Sequence, residues 1–281
     1  MDVGIGLPNA VPGTRGAEMT EWARRAEARG FSSLGTIDRI VYDNYEPLVA
    51  LAAAAAVTER IGLATTVLLG PLRTNPVELA KQSLSVNALS EGRFTLGIGL
   101  GARDDDYHVS GVELSGRGNR LDAMLERIIQ IWSGEEVGPS IAGAPRLVLG
   151  GHAMASFGRT ARFGDGWIAA ASGPEQFAEG AEKAKAAWST AGREGELHLM
   201  ALAYFSLGDR AFEDARAYAT DYYAFLGGEI AEMIAKSVAL DAEAIQRYLV
   251  AYEEAGCDEL VLCPCSSDPE QADLLADAVG L

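Results

Sequence analysis

Basic residues are scarce in this chain: 23 Lys and Arg stand against 40 Asp and Glu, for a formal net charge of −17. Binding to a nucleic-acid backbone relies on clustered Lys and Arg that displace counterions, and no such cluster is present in the sequence. The same deficit argues against docking on an anionic membrane surface, and the acidic excess reads as solubility. Long apolar runs are lacking too. The richest, "PLVALAAAAAV" from Pro47 to Val57, is about a dozen residues and falls short of a spanning helix. The N-terminal "MDVGIGLP" has no basic flank, so it reads as a first strand and not as a secretory signal. These features predict a cytoplasmic protein with neither nucleic acid nor membrane as partner.

Cysteine and histidine are also sparse. Cys257, Cys263 and Cys265 give an odd count, unsuited to a disulfide framework. Tetrahedral zinc needs four ligands at workable spacing; "CPC" supplies two, and His108, His152 and His198 are scattered. No metal site is expected.

What is present is an apolar complement of 48% and a regular alternation of strand-like and helix-like segments. "VGIGLP" reads as a strand, and "AEMTEWARRAEARGF" places Met19, Trp22, Ala23 and Ala26 on one helical face before Gly30 stops it. The pattern repeats through "SSLGTI" and a helix over Glu46 to Thr58, "IGLATTVLL" and "NPVELAKQSLSVNALSEG", then "RFTLGIGL" and "RLDAMLERIIQIWSG". After a Gly- and Pro-containing loop, Gly134 to Pro145, it resumes with "PRLVLGG", "DGWIAAA", "LHLMALAYFSLG" and "DELVLCP", each again followed by a helix. Eight apolar strands, each with its helix, predict a closed parallel (β/α)8 TIM barrel in a single domain over residues 1–281. A mostly helical excursion, Arg210 to about Val238, follows strand seven. The competing open doubly wound sheet would want a glycine-rich turn after strand one, where "GIGLPNAVPG" has prolines. On a barrel, active groups belong at the strand C-termini.

The stretch "IGLATTVLLGPLRTNPVELAKQ", followed by "LSEGRFTLGIGLG", resembles the bacterial luciferase-like monooxygenase family of flavin- or deazaflavin-dependent oxidoreductases. "GRGNRLDAMLERIIQIW", "LVLGGHAMASFGRTARFGDGW" and "AGCDELVLCPCSSDPEQADLLADAV" continue the resemblance along essentially the whole chain. It implies a barrel that binds reduced FMN, or alternatively coenzyme F420, without covalent attachment. It also implies a cis, non-proline bond corresponding to Thr66 and Val67, bulging against the ring. Gly99 and Gly101 would let the exit of strand four pass close to a flat ring. Gly150 and Gly151 stand between a strand and a helix, where N–H groups and the helix dipole suit a phosphate, and His152 adds a further contact. A small-molecule substrate, a separate flavin or F420 reductase and pairing through outer helices into a homodimer are further implications. The reaction implied is oxygenation of a small organic substrate with FMN, or hydride transfer with F420. Two non-redox readings stand beside it: a flavin-binding protein without turnover, and a phosphate-binding isomerase or lyase.

Two positions depart from the pattern. Where many members have an Asp-His pair after strand two, this chain has "TIDRI", so Arg39 replaces the histidine. Arginine does not exchange protons near neutral pH and would act as an anion anchor or electrostatic partner. Ala102 stands where sugar-oxidising deazaflavin members have a glutamate. The nearest polar groups are then Asp104 to His108. Three adjacent carboxylates on a short loop diverge and lack the interleaved spacing of a calcium loop. Asp105 and Tyr107 are taken as the inward groups and, with Arg39, as candidate catalytic residues. Tyr222 and Tyr223 of the excursion, and Cys263 of strand eight, are expected to edge the substrate pocket.

Overall fold

A computed structural model describes residues 1–134, 136–170 and 172–281. Glu135, in the predicted Gly134–Pro145 loop, and Ala171, the last residue of the predicted strand Asp165–Ala171, lie outside the described residues. The barrel strands are β1 (Asp2–Gly6), β2 (Ser33–Thr36), β3 in two segments (Gly62–Thr65 and Leu68–Leu69), β4 (Phe94–Gly99), β5 (Arg146–Gly150), β6 (Gly166–Ala169), β7 (His198–Phe205) and β8 (Glu259–Pro264). Every neighbouring pair is parallel. β1 pairs with β8 at Ile5↔Leu262, and the circle closes where both segments of β3 meet β4, at Leu63↔Phe94 and Leu68↔Ile98. The chain is therefore the predicted eight-stranded TIM barrel.

Strand alternation sorts the core into two compartments. On β7, Leu199, Ala201, Ala203 and Phe205 join the layer against the helices, while Met200, Leu202 and Tyr204 pack inside the barrel. On β8, Leu260 and Leu262 face outward, whereas Val261 and Cys263 face inward. The outer layer is closed by the helices α1 (Gly16–Arg29), α2 (Pro47–Ala55), α3 (Pro76–Leu89), α5 (Arg117–Trp132), α6 (Met154–Phe163), α7 (Pro174–Thr190), α10 (Ala242–Glu254) and α11 (Glu270–Val279). Trp22 of α1 and Phe157 of α6 are fully buried there.

Three local features depart from expectation. The single strand predicted over "IGLATTVLL" is interrupted, because the Thr66–Val67 peptide is cis and the Thr66 N–H turns to the Thr36 carbonyl at 2.7 Å. The predicted acidic loop after β4 is a short helix, α4 (Asp104–Val109), whose three aspartates occupy the first turn. Carboxylates there face the positive end of the helix dipole, which turned a run read as a loop into a helical start. The excursion after β7 consists of α8 (Ala211–Tyr222), a 3-10 turn at Ala224–Leu226 and α9 (Gly228–Lys236), in agreement with the sequence reading. No helix among the described residues is long and apolar enough to cross a membrane.

Candidate functional site

A cavity of about 550 Å³ opens at the C-terminal ends of the strands, within the usual range for small-molecule sites. Its floor is built around Val67. The bulge at the cis bond sends this side chain between Gly99 and Gly150, where a Cβ would stand only 2.8 Å and 3.2 Å from its methyl groups. Glycine at both positions leaves a shallow surface on which a planar ring could lie. Gly101 and Gly151 have φ of +70° and +129°, so the two strand exits adopt backbone that side chains disfavour. Thr66, Val67, Gly99, Gly101, Gly150 and Gly151 all line this one cavity.

Beside Gly151, the Ser156 side chain belongs to the first turn of α6, and on the adjacent wall Ser172 precedes the start of α7. The buried Ser172 Oγ has no hydrogen-bond partner among the described residues. Helix N-termini with free hydroxyls and amides are anion-binding arrangements. His152 stands apart: it is exposed, lies edge-on to Trp167 at 5.7 Å, and does not line the cavity. His152, expected to add a contact to the phosphate, is placed outside the cavity lining, with its ring edge-on to Trp167.

The opposite wall carries the charges. Asp38 follows β2 and is buried; it accepts a hydrogen bond from the Leu69 N–H at 2.8 Å and two from Arg73 Nη2 at 3.1 and 3.0 Å. Burial outweighs these favourable partners and pushes its carboxyl up to about 6. Because the folded value lies above that of an unfolded aspartate, the unfolded chain releases this proton first as pH rises. The contribution is therefore most favourable below about pH 4, falls between there and about 6, and is level above. The melting temperature of the wild type is expected to drop relative to Asp38→Asn across that window. A difference that stays flat from about pH 4 to 6 would refute the raised value.

Arg39 is nearly sealed from solvent. Its Nε donates to Asp106 Oδ2 at 2.6 Å and its Nη2 to Asp106 Oδ1 at 3.5 Å and Asp105 Oδ2 at 3.4 Å. Asp106 Oδ1 also accepts the Ile40 and Val41 N–H groups, both at 2.9 Å, so one carboxylate organises the whole loop after β2. Tyr42 and Tyr222 lie 5.4 and 5.5 Å from the guanidinium. Burial pushes the Tyr222 hydroxyl up to about 12, so it stays neutral.

This arrangement corrects two inward assignments. Asp105 is 43% exposed and pairs chiefly with Arg103, whose hydrogen bond lowers its pKa. Asp106 is the buried one, because the first turn of α4 rotates it toward Arg39. Tyr107 is buried and packs with Leu69 and Leu72, its hydroxyl donating to the Leu100 carbonyl; it stands behind Leu69 and Leu100, which line the cavity, and does not line it itself. Cys263 points into the barrel as expected, yet lies in the packed interior beneath the pocket, against Gly6, where burial raises its thiol pKa.

The excursion roofs the cavity with Tyr222, Tyr223 and Phe225. It is tied to the barrel loops by the Tyr42 hydroxyl donating to Asp221 at 2.5 Å and by Arg103, which donates to the Tyr222 carbonyl at 3.1 Å and covers the Phe225 ring at 4.1 Å. Tyr248 and Tyr252 of α10 complete the wall. Neither they nor Asp106 stood out in the sequence. Reading "RDDDYH" as a helical turn would have put Asp106 and Tyr107 on the buried side; the α10 tyrosines carried no signal beyond amphipathicity.

Comparison with known proteins agrees with this fold. The family model described as luciferase-like monooxygenase matches residues 1–258. An uncharacterised protein of Mycobacterium tuberculosis is 32% identical over 208 residues, covering 62% of this chain and 73% of that protein. An F420-dependent glucose-6-phosphate dehydrogenase of Kribbella flavida is 29% identical over 218 residues, covering 66% and 65%. Among solved structures, an F420-dependent secondary alcohol dehydrogenase in complex with an F420-acetone adduct superposes with a TM-score of 0.81 at 18% identity, covering 99% and 98%. The oxygenating constituent of 3,6-diketocamphane monooxygenase from Pseudomonas putida, in complex with FMN, gives 0.73 at 16% identity, covering 99% and 96%. At these identities the two structures bear on the fold alone.

Proposed function

The chain belongs to the luciferase-like monooxygenase family, and from that premise we propose that it is a monooxygenase using non-covalently held reduced FMN on a small organic substrate. The residues present fit such a cofactor. Val67, Gly99 and Gly150 supply a flat floor, while Gly151, Ser156 and the unpartnered Ser172 hydroxyl supply donors suited to a phosphate. Bound reduced FMN would supply the electrons for oxygen activation, which no side chain of this cavity can do.

The observation that carries the oxygenase reading is the wall after β2. Oxidising an alcohol by hydride removal needs a group that takes the hydroxyl proton. Arg39 presents only donors, and Asp38 already accepts from Arg73 and the Leu69 N–H. Oxygen insertion makes no such demand on these residues. What they do is hold the loop after β2 and the start of α4 rigidly against the cavity, while the tyrosine roof restricts water.

A second reading, hydride transfer with F420, is favoured by the 29% identity to an F420-dependent sugar dehydrogenase, although Ala102 replaces the glutamate expected for sugar oxidation. Titrating the protein with FMN and F420 in both oxidation states, followed by oxygen uptake, decides between them. Tight binding of reduced FMN with substrate-linked oxygen consumption is expected. Binding of F420 with turnover but no oxygen uptake overturns the oxygenase in favour of the second reading. Flavin binding without turnover points to a carrier, and no binding of either cofactor removes the redox reading altogether.

A further inference from the structure

The tyrosines around the cavity form a connected set that the oxygenation reading leaves unused. Tyr204 of β7, Tyr218 and Tyr222 of α8, and Tyr223 just after α8 make a closed circuit of ring contacts. Centroids lie 5.6 Å apart from Tyr204 to Tyr218, 5.5 Å from Tyr218 to Tyr222, 4.9 Å from Tyr222 to Tyr223 and 6.1 Å from Tyr223 back to Tyr204. All four separations are those of directly packed aromatic pairs. Tyr204, Tyr222 and Tyr223 line the cavity. Among the described residues, two ring contacts lead out of the circuit: Tyr223 to Phe225 at 6.4 Å, and Tyr222 to Tyr42 at 5.1 Å. Packing alone would be served as well by phenylalanine, whereas each buried phenol adds a hydroxyl that must be satisfied.

The hydroxyls differ in where a proton can go. Burial raises the pKa of all five, so each ring is a neutral phenol that becomes strongly acidic once it loses an electron. The Tyr204 and Tyr223 hydroxyls are bonded to each other at 2.9 Å, which offers a proton only another phenol. The Arg39 guanidinium lies 5.5 Å from the Tyr222 ring and 5.4 Å from the Tyr42 ring, and a neighbouring cation disfavours a second positive charge on either. Of the five, Tyr42 is the one bonded to a carboxylate. Its hydroxyl donates to Asp221 Oδ2 at 2.5 Å; Tyr42 is half-buried and Asp221 is exposed. Electron and proton can therefore leave together at Tyr42.

Resting on the oxidoreductase reading, we propose that these tyrosines form an exit for oxidising equivalents, running from the cavity through Tyr223 and Tyr222 to Tyr42, with Asp221 as the proton acceptor. A one-electron oxidant in the cavity, of the class of a photoexcited oxidised flavin, takes one electron from Tyr223 or Tyr222. An electron from Tyr42 refills that ring. The Tyr42 O–H bond breaks as its proton passes to the Asp221 carboxylate, leaving a neutral tyrosyl radical. A thiolate or ascorbate in solution then returns one electron to Tyr42, and Asp221 returns the proton. Cys263 and Cys265 pack in the same inner compartment as the circuit, so the exit draws oxidation away from two buried thiols.

The test loads the protein with whichever of oxidised FMN or F420 it binds, removes free cofactor by gel filtration, and excites the bound cofactor with light in the presence of a nitroso spin trap. Peptide mass spectrometry locates the adduct, and yields are counted per bound cofactor. The adduct is expected on Tyr42. Asp221→Asn keeps an oxygen for the Tyr42 hydroxyl but is a poor proton acceptor, and Tyr222→Phe keeps the ring while removing the oxidisable phenol. Each is expected to lower the Tyr42 yield by about tenfold or more. Adducts confined to the cavity tyrosines or to Cys263 and Cys265, or a Tyr42 yield unchanged in either variant, overturn the proposal. The wild-type adduct map decides even if neither variant folds. A protein that binds neither cofactor loses the oxidoreductase reading and the exit with it, whereas cofactor binding with no adduct on Tyr42 overturns the exit alone.

Discussion

Asp106→Ala is expected to lower the unfolding free energy by about 3–5 kcal/mol, because removing one partner of a buried ion pair strands the other. The side chains of Arg39 and Asp106 are 3% and 1% exposed, so solvent cannot substitute for the missing carboxylate. The Ile40 and Val41 N–H groups would lose their acceptor at the same time. With total stabilities of only about 5–15 kcal/mol, such a loss takes a large share of what holds a domain folded. Asp105→Ala is the control. Its carboxylate is 43% exposed, so its removal should cost no more than about 1 kcal/mol. Urea denaturation of the two variants measures the contrast; equal costs would refute the assignment of Asp106 as the organising residue.

Gly97→Ala is expected to be at least as damaging, with a loss above about 4 kcal/mol or failure to accumulate as soluble protein. A Cβ at this position of β4 would stand 1.9 Å from the Thr65 carbonyl oxygen, a backbone atom that no rotamer change can move. The Thr65 hydroxyl also donates to the Gly97 carbonyl at 2.6 Å, so the two strands are held together at the point where β3 breaks. Relieving the clash would push β3 away from β4 and displace the Thr66–Val67 bulge that forms the cavity floor. Gly158→Ala on α6, where an added Cβ meets nothing within 4 Å, should instead be neutral or gain about 0.5–1 kcal/mol. Melting temperatures of the two variants test the pair, and a Gly97→Ala protein that melts with the wild type would show that β3 and β4 are not so closely apposed.

Both experiments probe residues that differ in how visible they were in the sequence. Gly99, Gly101, Gly150 and Gly151 could be placed at the site because they end strands, and a barrel collects its strand ends at one mouth. Thr66 and Val67 followed from the family resemblance. Arg39 was identifiable as a departure from that pattern. Asp106 was not distinguished from Asp104 and Asp105, since three identical residues in a row carry no periodicity until the segment is known to be helical. The placement of Tyr107 and Cys263 at the site failed for a related reason. Burial was read correctly, but burial alone does not tell the packed interior of a barrel from the cavity above it.

The sequence by itself determined the architecture, because eight apolar strands alternating with helices leave few ways to bury their faces, and that periodicity is local. It also excluded a proton-exchanging histidine after β2, since residue identity needs no coordinates. Only the tertiary structure decided which aspartate holds Arg39 and which tyrosines of the excursion and α10 meet over the cavity. Those outcomes depend on helix rotation and on segments 67 and 179 residues apart converging at one rim. Local spacing carries no record of such long-range geometry.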